Sequence, residues 1–282
     1  MSAENHQTPP PKIGIRDSGV GGLTVARRVR ETLPYADLLY FADTAHVPYG
    51  DKTPEQVTHY ALSISDFLIE KGAQIVVFAC NTTSAYALEA ARERFSVPIF
   101  GVIEPGARVA AHASSGKIGV LATAATVASG VYSREIGRFN PHLQVREIGC
   151  PAFVPLVEAQ KADSLEALEA CKHYLAPLLR FGADTIVLGC THFPLLLPAL
   201  REVAPEVNFI DPAQALAHDV AATFETVPLL GAPEDIFYVS GERTGLKNWI
   251  RALLALKNPR LETGPIFDFP YSPSPDFPFS PS

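Results

Sequence analysis

Two stretches of the chain repeat one another without a gap. Gly72-Ala73-Gln74-Ile75-Val76-Val77-Phe78-Ala79-Cys80-Asn81-Thr82 aligns with Gly182-Ala183-Asp184-Thr185-Ile186-Val187-Leu188-Gly189-Cys190-Thr191-His192. Each is a short apolar run that reads as a buried strand, and each hands a cysteine to polar, helix-starting residues. In an open parallel sheet, ligands collect outside the carboxyl ends of the strands. The two thiols are therefore expected to form a facing pair. A second echo sets Lys12-Ile13-Gly14-Ile15 against Lys117-Ile118-Gly119-Val120, at an offset of 105, close to the 110 that separates the cysteine strands.

Two echoes at nearly equal offset predict an α/β fold of two pseudo-symmetric halves, related by a pseudo-two-fold. Each is built on a parallel sheet, and the site lies in the cleft between them. Apolar strands alternating with helix-length segments point the same way. The expected division is a flexible N-terminus over residues 1–12, then one unit over 13–103 plus 211–260 carrying Cys80. A second unit over 104–210 carries Cys190, with the boundary near Glu104 to Gly106. Residues 261–282 form a proline-rich tail, since prolines as dense as those after Pro265 forbid helix and central strand. A helix is expected from Pro194 to Val203 and another from Ala213 to Thr226.

Composition narrows the function classes. A net charge of −7 argues against a large nucleic-acid footprint. No apolar run approaches the roughly 18 residues of a membrane span, and residues 1–12 lack the apolar core of a signal peptide. Four cysteines without a Cys-x-x-Cys pair read as thiols in a reducing cytoplasm.

Cys80 and Cys190 each sit where a strand gives way to a helix start, a place that favours thiolate. Cys150 and Cys171 lack this context, and Cys171 reads as core. The turn Asp17-Ser18-Gly19-Val20-Gly21-Gly22 is not a dinucleotide fingerprint. Its glycines let backbone approach a small anion closely at a helix start. Asp17 has two readings, a helix cap or a group beside the substrate. Asp43 and Thr44 read as turn formers of the loop running to Gly50. Asn81, Thr82 and Thr191 offer an amide and hydroxyls beside the cysteines, and equally suit helix capping. His192 has the pKa range of a proton carrier. Cys-x-His alone offers too few ligands for a metal.

The motifs Asp17–Gly22, Asp43-Thr44 to Pro48-Tyr49-Gly50, Ala79-Cys80-Asn81-Thr82, Cys150-Pro151 to Glu158 and Gly189-Cys190-Thr191-His192-Phe193-Pro194 resemble those of the cofactor-independent aspartate/glutamate racemase superfamily, and within it the glutamate racemases. The resemblance covers about Ile13 to Leu256. It implies that Cys80 deprotonates D-glutamate and Cys190 deprotonates L-glutamate, with Asp17 and His192 as their proton partners and Glu158 orienting His192. Asp17, Ser18, Pro48, Tyr49, Gly50, Asn81, Thr82, Thr123, Thr191 and His192 would hold the substrate. It further implies a cytoplasmic homodimer that needs no cofactor and supplies D-glutamate for peptidoglycan. No lysine lies in a Schiff-base context, and no metal, nucleic-acid or membrane partner is expected. An aspartate racemase is the nearest alternative, and a non-catalytic binding protein a more distant one. Arg16 departs from the family pattern and is placed to pair with Asp17.

Overall fold

Local signals start and stop the helices. Thr53 accepts from the Gln56 backbone while the Gln56 side chain reaches back, a reciprocal cap with Pro54 in the first turn. Ser164 caps the long helix of the second half, and Gly182, in the left-handed region, ends it. The computed structural model describes residues 10–224, 233–242 and 245–269. In chain order it contains β1 (Lys12–Asp17), α1 (Leu23–Thr32), β2 (Asp37–Ala42), α2 (Pro54–Glu70), β3 (Ile75–Phe78), α3 (Asn81–Arg94), β4 (Ile99–Gly101) and α4 (Ile103–Ala113). There follow β5 (Lys117–Ala122), α5 (Ala124–Ala128), α6 (Val131–Phe139), β6 (Gln144–Gly149), α7 (Phe153–Glu158), α8 (Leu165–Phe181), β7 (Thr185–Gly189), α9 (Leu197–Val203) and β8 (Asn208–Ile210). The chain closes with α10 (Pro212–Ala221), β9 (Ile236–Val239), α11 (Leu246–Leu254) and β10 (Arg260–Thr263).

The strands form two parallel sheets, ordered β10-β9-β2-β1-β3-β4 and β6-β5-β7-β8. The second sheet repeats the order of four strands of the first. The register repeats too, because Ile13 lies beside Ile75 in one sheet and Ile118 beside Thr185 in the other. Those are the positions that the two sequence echoes bring into line.

A shared apolar core joins the sheets. Leu23 and Val29 of α1, Ile103 and Ala107 of α4, and Leu216 and Val220 of α10 pack with Ile13 and Ile15 of one sheet and Ile118 and Val120 of the other. A second cluster packs α2 and α3 on the outer face of the first sheet. A third packs α7 and α8 on the outer face of the second.

The boundary expected near Glu104 to Gly106 lies at the start of α4, on the passage from the first sheet to the second; Pro105 is tolerated there because a first-turn nitrogen has no intrahelical acceptor. Two other expectations need correction. The folded chain runs past residue 260, since β10 adds an edge strand and Phe267 and Phe269 pack on the second cluster. Only residues 270–282 of the expected tail lie outside the described residues. The helix expected from Pro194 opens instead as a 3-10 turn, Phe193–Leu196, before α9. The helix expected from Ala213 is α10, and the last two residues proposed for it lie outside the described residues.

Candidate active site

The two cysteines occupy equivalent strand ends. Cys80 is the residue before α3 in extended conformation, and Cys190 follows β7 directly. Both are 7% exposed, buried but not sealed. Their neighbours differ. Burial pushes the Cys80 thiol up and Asp17 adds to this, while Arg16 and hydrogen bonds from Thr83 pull it down. Cys190 Sγ lies 3.8 Å from His192 Nδ1, and His192 Nε2 lies 3.1 Å from Glu158 Oε1. Burial alone would lower the His192 pKa. Its bonds to Cys190 and Glu158, with the charges of Cys190 and Asp17, raise it instead to about 10. The bond from His192 holds half-exposed Glu158 below the usual carboxylate range. These bonds and charges favour the protonated imidazole, which lies beside the Cys190 sulfur where it can exchange a proton.

The glycine turn joins the halves. Asp17 is fully buried at the end of β1; its Oδ2 accepts from the Gly19 backbone at 3.0 Å, and its Oδ1 has no partner. Tyr40 donates to the Gly19 carbonyl at 2.7 Å. Thr24, one turn on, donates to the Thr191 carbonyl at 2.9 Å. A Cβ on Gly21 would stand 2.3 Å from Thr191 Oγ1 and 2.5 Å from His192 Nδ1. This glycine therefore serves close approach, though of the other half rather than of a ligand alone. Asp17 does not cap α1, whose N-cap is Gly22 without a side-chain bond.

Further contacts tie the α3 start to the second half. Asn81 Oδ1 accepts from Tyr132 at 2.7 Å. Thr82 Oγ1 lies 3.1 Å from that of Thr123 and 3.3 Å from that of Thr126, which are themselves 3.0 Å apart. Ser18 and Gly50 are half-buried and Pro48 is exposed after a cis Val47–Pro48 bond.

Tyr49 is buried, and its hydroxyl is committed. It donates to Asp43 Oδ2 at 2.6 Å and accepts from Arg16 Nη2 at 2.8 Å. Asp43 also accepts from Ser240 at 2.7 Å and meets His46 Nδ1 at 2.9 Å, so it is more than a turn former. Arg16 does not pair with Asp17. Successive strand residues point to opposite faces, and Arg16 Nη1 donates to Thr83 Oγ1 instead. Its guanidinium is wholly buried, over the Tyr49 ring at 5.2 Å and the Phe78 ring at 5.7 Å. Burial favours its neutral form, but Tyr49, Cys80, Asp43 and Asp17 outweigh it and keep Arg16 charged. Arg16, Asp43, Thr83 and Tyr132 were absent from the expected site. Strand alternation was the available signal for Arg16; Tyr132 had none, because its partner lies in the other half. Among the described residues no group of three or more His, Cys, Asp or Glu is placed to hold a metal.

The sequence profile described as Asp/Glu/Hydantoin racemase matches residues 23–220. A glutamate racemase of Geobacter metallireducens is 48% identical over 74% of this chain and 78% of its own. The crystal structure of glutamate racemase isoform RacE1 from Bacillus anthracis superposes with a TM-score of 0.85 at 31% identity, covering 94% of this chain and all of that one. A Francisella tularensis glutamate racemase, solved in complex with D-glutamate, also scores 0.85, at 28% identity over 92% of this chain and 98% of its own.

Proposed function

Because the chain belongs to the Asp/Glu/Hydantoin racemase family, we propose that its two cysteines serve as the two bases of a glutamate racemase. The enzyme is an isomerase that interconverts L- and D-glutamate. Inversion requires a proton to leave one face of Cα and another to arrive on the opposite face. With D-glutamate bound, the Cys80 thiolate takes the Cα proton, the electron pair passes toward the α-carboxylate, and the Cys190 thiol delivers a proton from the other side. With L-glutamate the roles exchange.

The observation that carries this reading is the placement of two buried thiols at equivalent strand ends with unlike proton partners. On one side His192, held by Glu158, exchanges a proton with Cys190. On the other, the unpartnered Oδ1 of Asp17 is free to accept from the substrate ammonium or from the Cys80 thiol. Ser18, the Pro48–Gly50 backbone, Asn81, Thr82, Thr123 and Thr191 hold the carboxylates and the ammonium. The Cα–H is weakly acidic, so the site relies on desolvated thiolate and fixed donors around the developing charge. The product suits peptidoglycan synthesis in the cytoplasm. No described helix is long and apolar enough to cross a membrane. The working form is taken as a homodimer, which sedimentation would check.

Exchange of the Cα proton in deuterated solvent, with L- and D-glutamate and with L-aspartate, tests the assignment. Cys80→Ser and Cys190→Ser should each abolish racemisation. Parent-rate racemisation in both variants would remove the two-thiol mechanism, and faster turnover of aspartate would change the substrate.

A further inference from the structure

The repeat places the strand and helix-start residues around Cys80 opposite counterparts around Cys190. Asn81 answers to Thr191, Thr82 to His192, Phe78 to Leu188, Thr83 to Phe193 and Arg16 to Leu121. The wall behind Cys190 is therefore apolar, with Leu121, Leu188 and Phe193 in one cluster with the thiol. The wall behind Cys80 holds a buried guanidinium. His192 supplies a positive charge to Cys190, and its counterpart Thr82 has none to give Cys80. We propose that Arg16 is the positioning residue of the Cys80 side, a fixed buried cation that favours the Cys80 thiolate in the free enzyme. Each cysteine thus has its own cation, brought from a different strand position.

The geometry makes Arg16 a rigid charge. Its backbone carbonyl accepts from the Ala79 backbone at 3.1 Å, next to Cys80, and its side chain lies over Phe78. One guanidinium nitrogen ends on Thr83, in the first turn of the helix that Cys80 begins, and the other on Tyr49. Arg16 is wholly buried, so solvent screens little of its field. The charged and titratable groups that act on Cys80 are Asp17 and Arg16 on β1, Tyr40 on β2, and Tyr49 from the loop after β2. Asp17 disfavours the thiolate, whereas the Asp43 carboxylate is held by Tyr49, His46 and Ser240. Arg16 is the cation among these groups that acts to favour the thiolate.

The inference rests on the racemase reading, but its test needs no turnover. Iodoacetamide forms a bond to thiolate sulfur and releases iodide, so its rate follows the thiolate fraction. Peptide-resolved mass spectrometry of the full chain reads Cys80 and Cys190 separately across pH. Near pH ~7, Arg16→Met should slow Cys80 alkylation about tenfold, which corresponds to about 1.4 kcal/mol. It should leave Cys190 within about twofold, and Arg16→Lys, which keeps the charge, should restore Cys80 to within about threefold. In racemisation the acid limb of the kcat/KM profile should move to higher pH in Arg16→Met and return in Arg16→Lys. If the neutral variant fails to fold, Arg16→Met with Asp43→Asn removes the buried cation together with its counter-charge and should slow Cys80 alkylation in the same direction. An unchanged Cys80 profile in a neutral variant would overturn the proposal. So would equal slowing at both thiols, or a Lys variant as slow as Met. Absence of racemase activity with the alkylation pattern intact would instead remove the functional reading and leave the role of the charge standing.

Discussion

Gly21→Ala isolates the contact on which both halves depend. The Gly21 backbone lies outside the left-handed region, so alanine is conformationally acceptable there and the effect is steric. The new methyl would sit 2.3 Å from Thr191 Oγ1 and 2.5 Å from His192 Nδ1, whereas ordinary contact begins at 3.4 Å. The neighbours must retreat by about 1 Å, a misplacement that can cost on the order of 100-fold in rate. His192 has no slack to give, since its Nδ1 is already 3.8 Å from Cys190 Sγ. We expect kcat/KM for racemisation, followed by circular dichroism, to fall about 100-fold, with a stability loss of about 1–3 kcal/mol in urea unfolding. The two enantiomers have equal free energy, so kcat/KM must fall equally in both directions, and only kcat and KM taken separately can differ. Gly19→Ala is the control. Its methyl would meet only Val47 Cγ1 at 3.6 Å and should change little. A Gly21→Ala enzyme within about threefold of the parent would refute the reasoning, because the halves would then have room between them.

Other outcomes follow from the same site. Glu158→Gln keeps the shape but loses the charge that holds His192, so kcat/KM should drop about tenfold or more and Cys190 alkylation should slow while Cys80 is unaffected. His192 titrates at about 10 in the fold against an ordinary 6.5, so its protonation stabilises the fold fully below pH 6.5 and this contribution is lost as pH rises through about 10. Tm should therefore fall more steeply across that window in the parent than in His192→Asn. Cys150 and Cys171 are buried, their thiols pushed well up in the first case and to about 12 in the second. Both should stay unlabelled by iodoacetamide at neutral pH while Cys80 and Cys190 react, and Cys171→Ala should cost about 1 kcal/mol without changing kcat.

Much of this was legible in the chain because apolar strands and helix punctuation are local signals. The echoes of Cys80 with Cys190 and of Lys12 with Lys117 correspond to strands with the same order and register. The pairing of His192 with Glu158 followed from family resemblance, not from spacing, since they are 34 residues apart, with a helix and a strand between them. What escaped was set by tertiary context. That a helix starts across Pro105 and Gly106 is one case: Pro105 sits in a first turn, and Gly106 faces Pro212 of α10, where a Cβ would stand 2.7 Å away. Arg16 looked like a partner for Asp17 because adjacency in sequence was allowed to outweigh the alternation of strand faces. Tyr49 looked like a ligand group, but a buried hydroxyl takes whichever partners the fold supplies.

The chain crosses between the halves twice, from β4 into α4 and from β8 into α10, and Gly106 against Pro212 sets those crossings side by side. The halves also meet through hydroxyls, Thr24 on the Thr191 carbonyl and Thr82 against Thr123 and Thr126. Such bonds are worth roughly 1 kcal/mol each, little beside the apolar core that α1, α4 and α10 share with both sheets. The core is thus the common frame that holds one cysteine opposite the other, and the hydroxyls only set the fine alignment of the two strand ends.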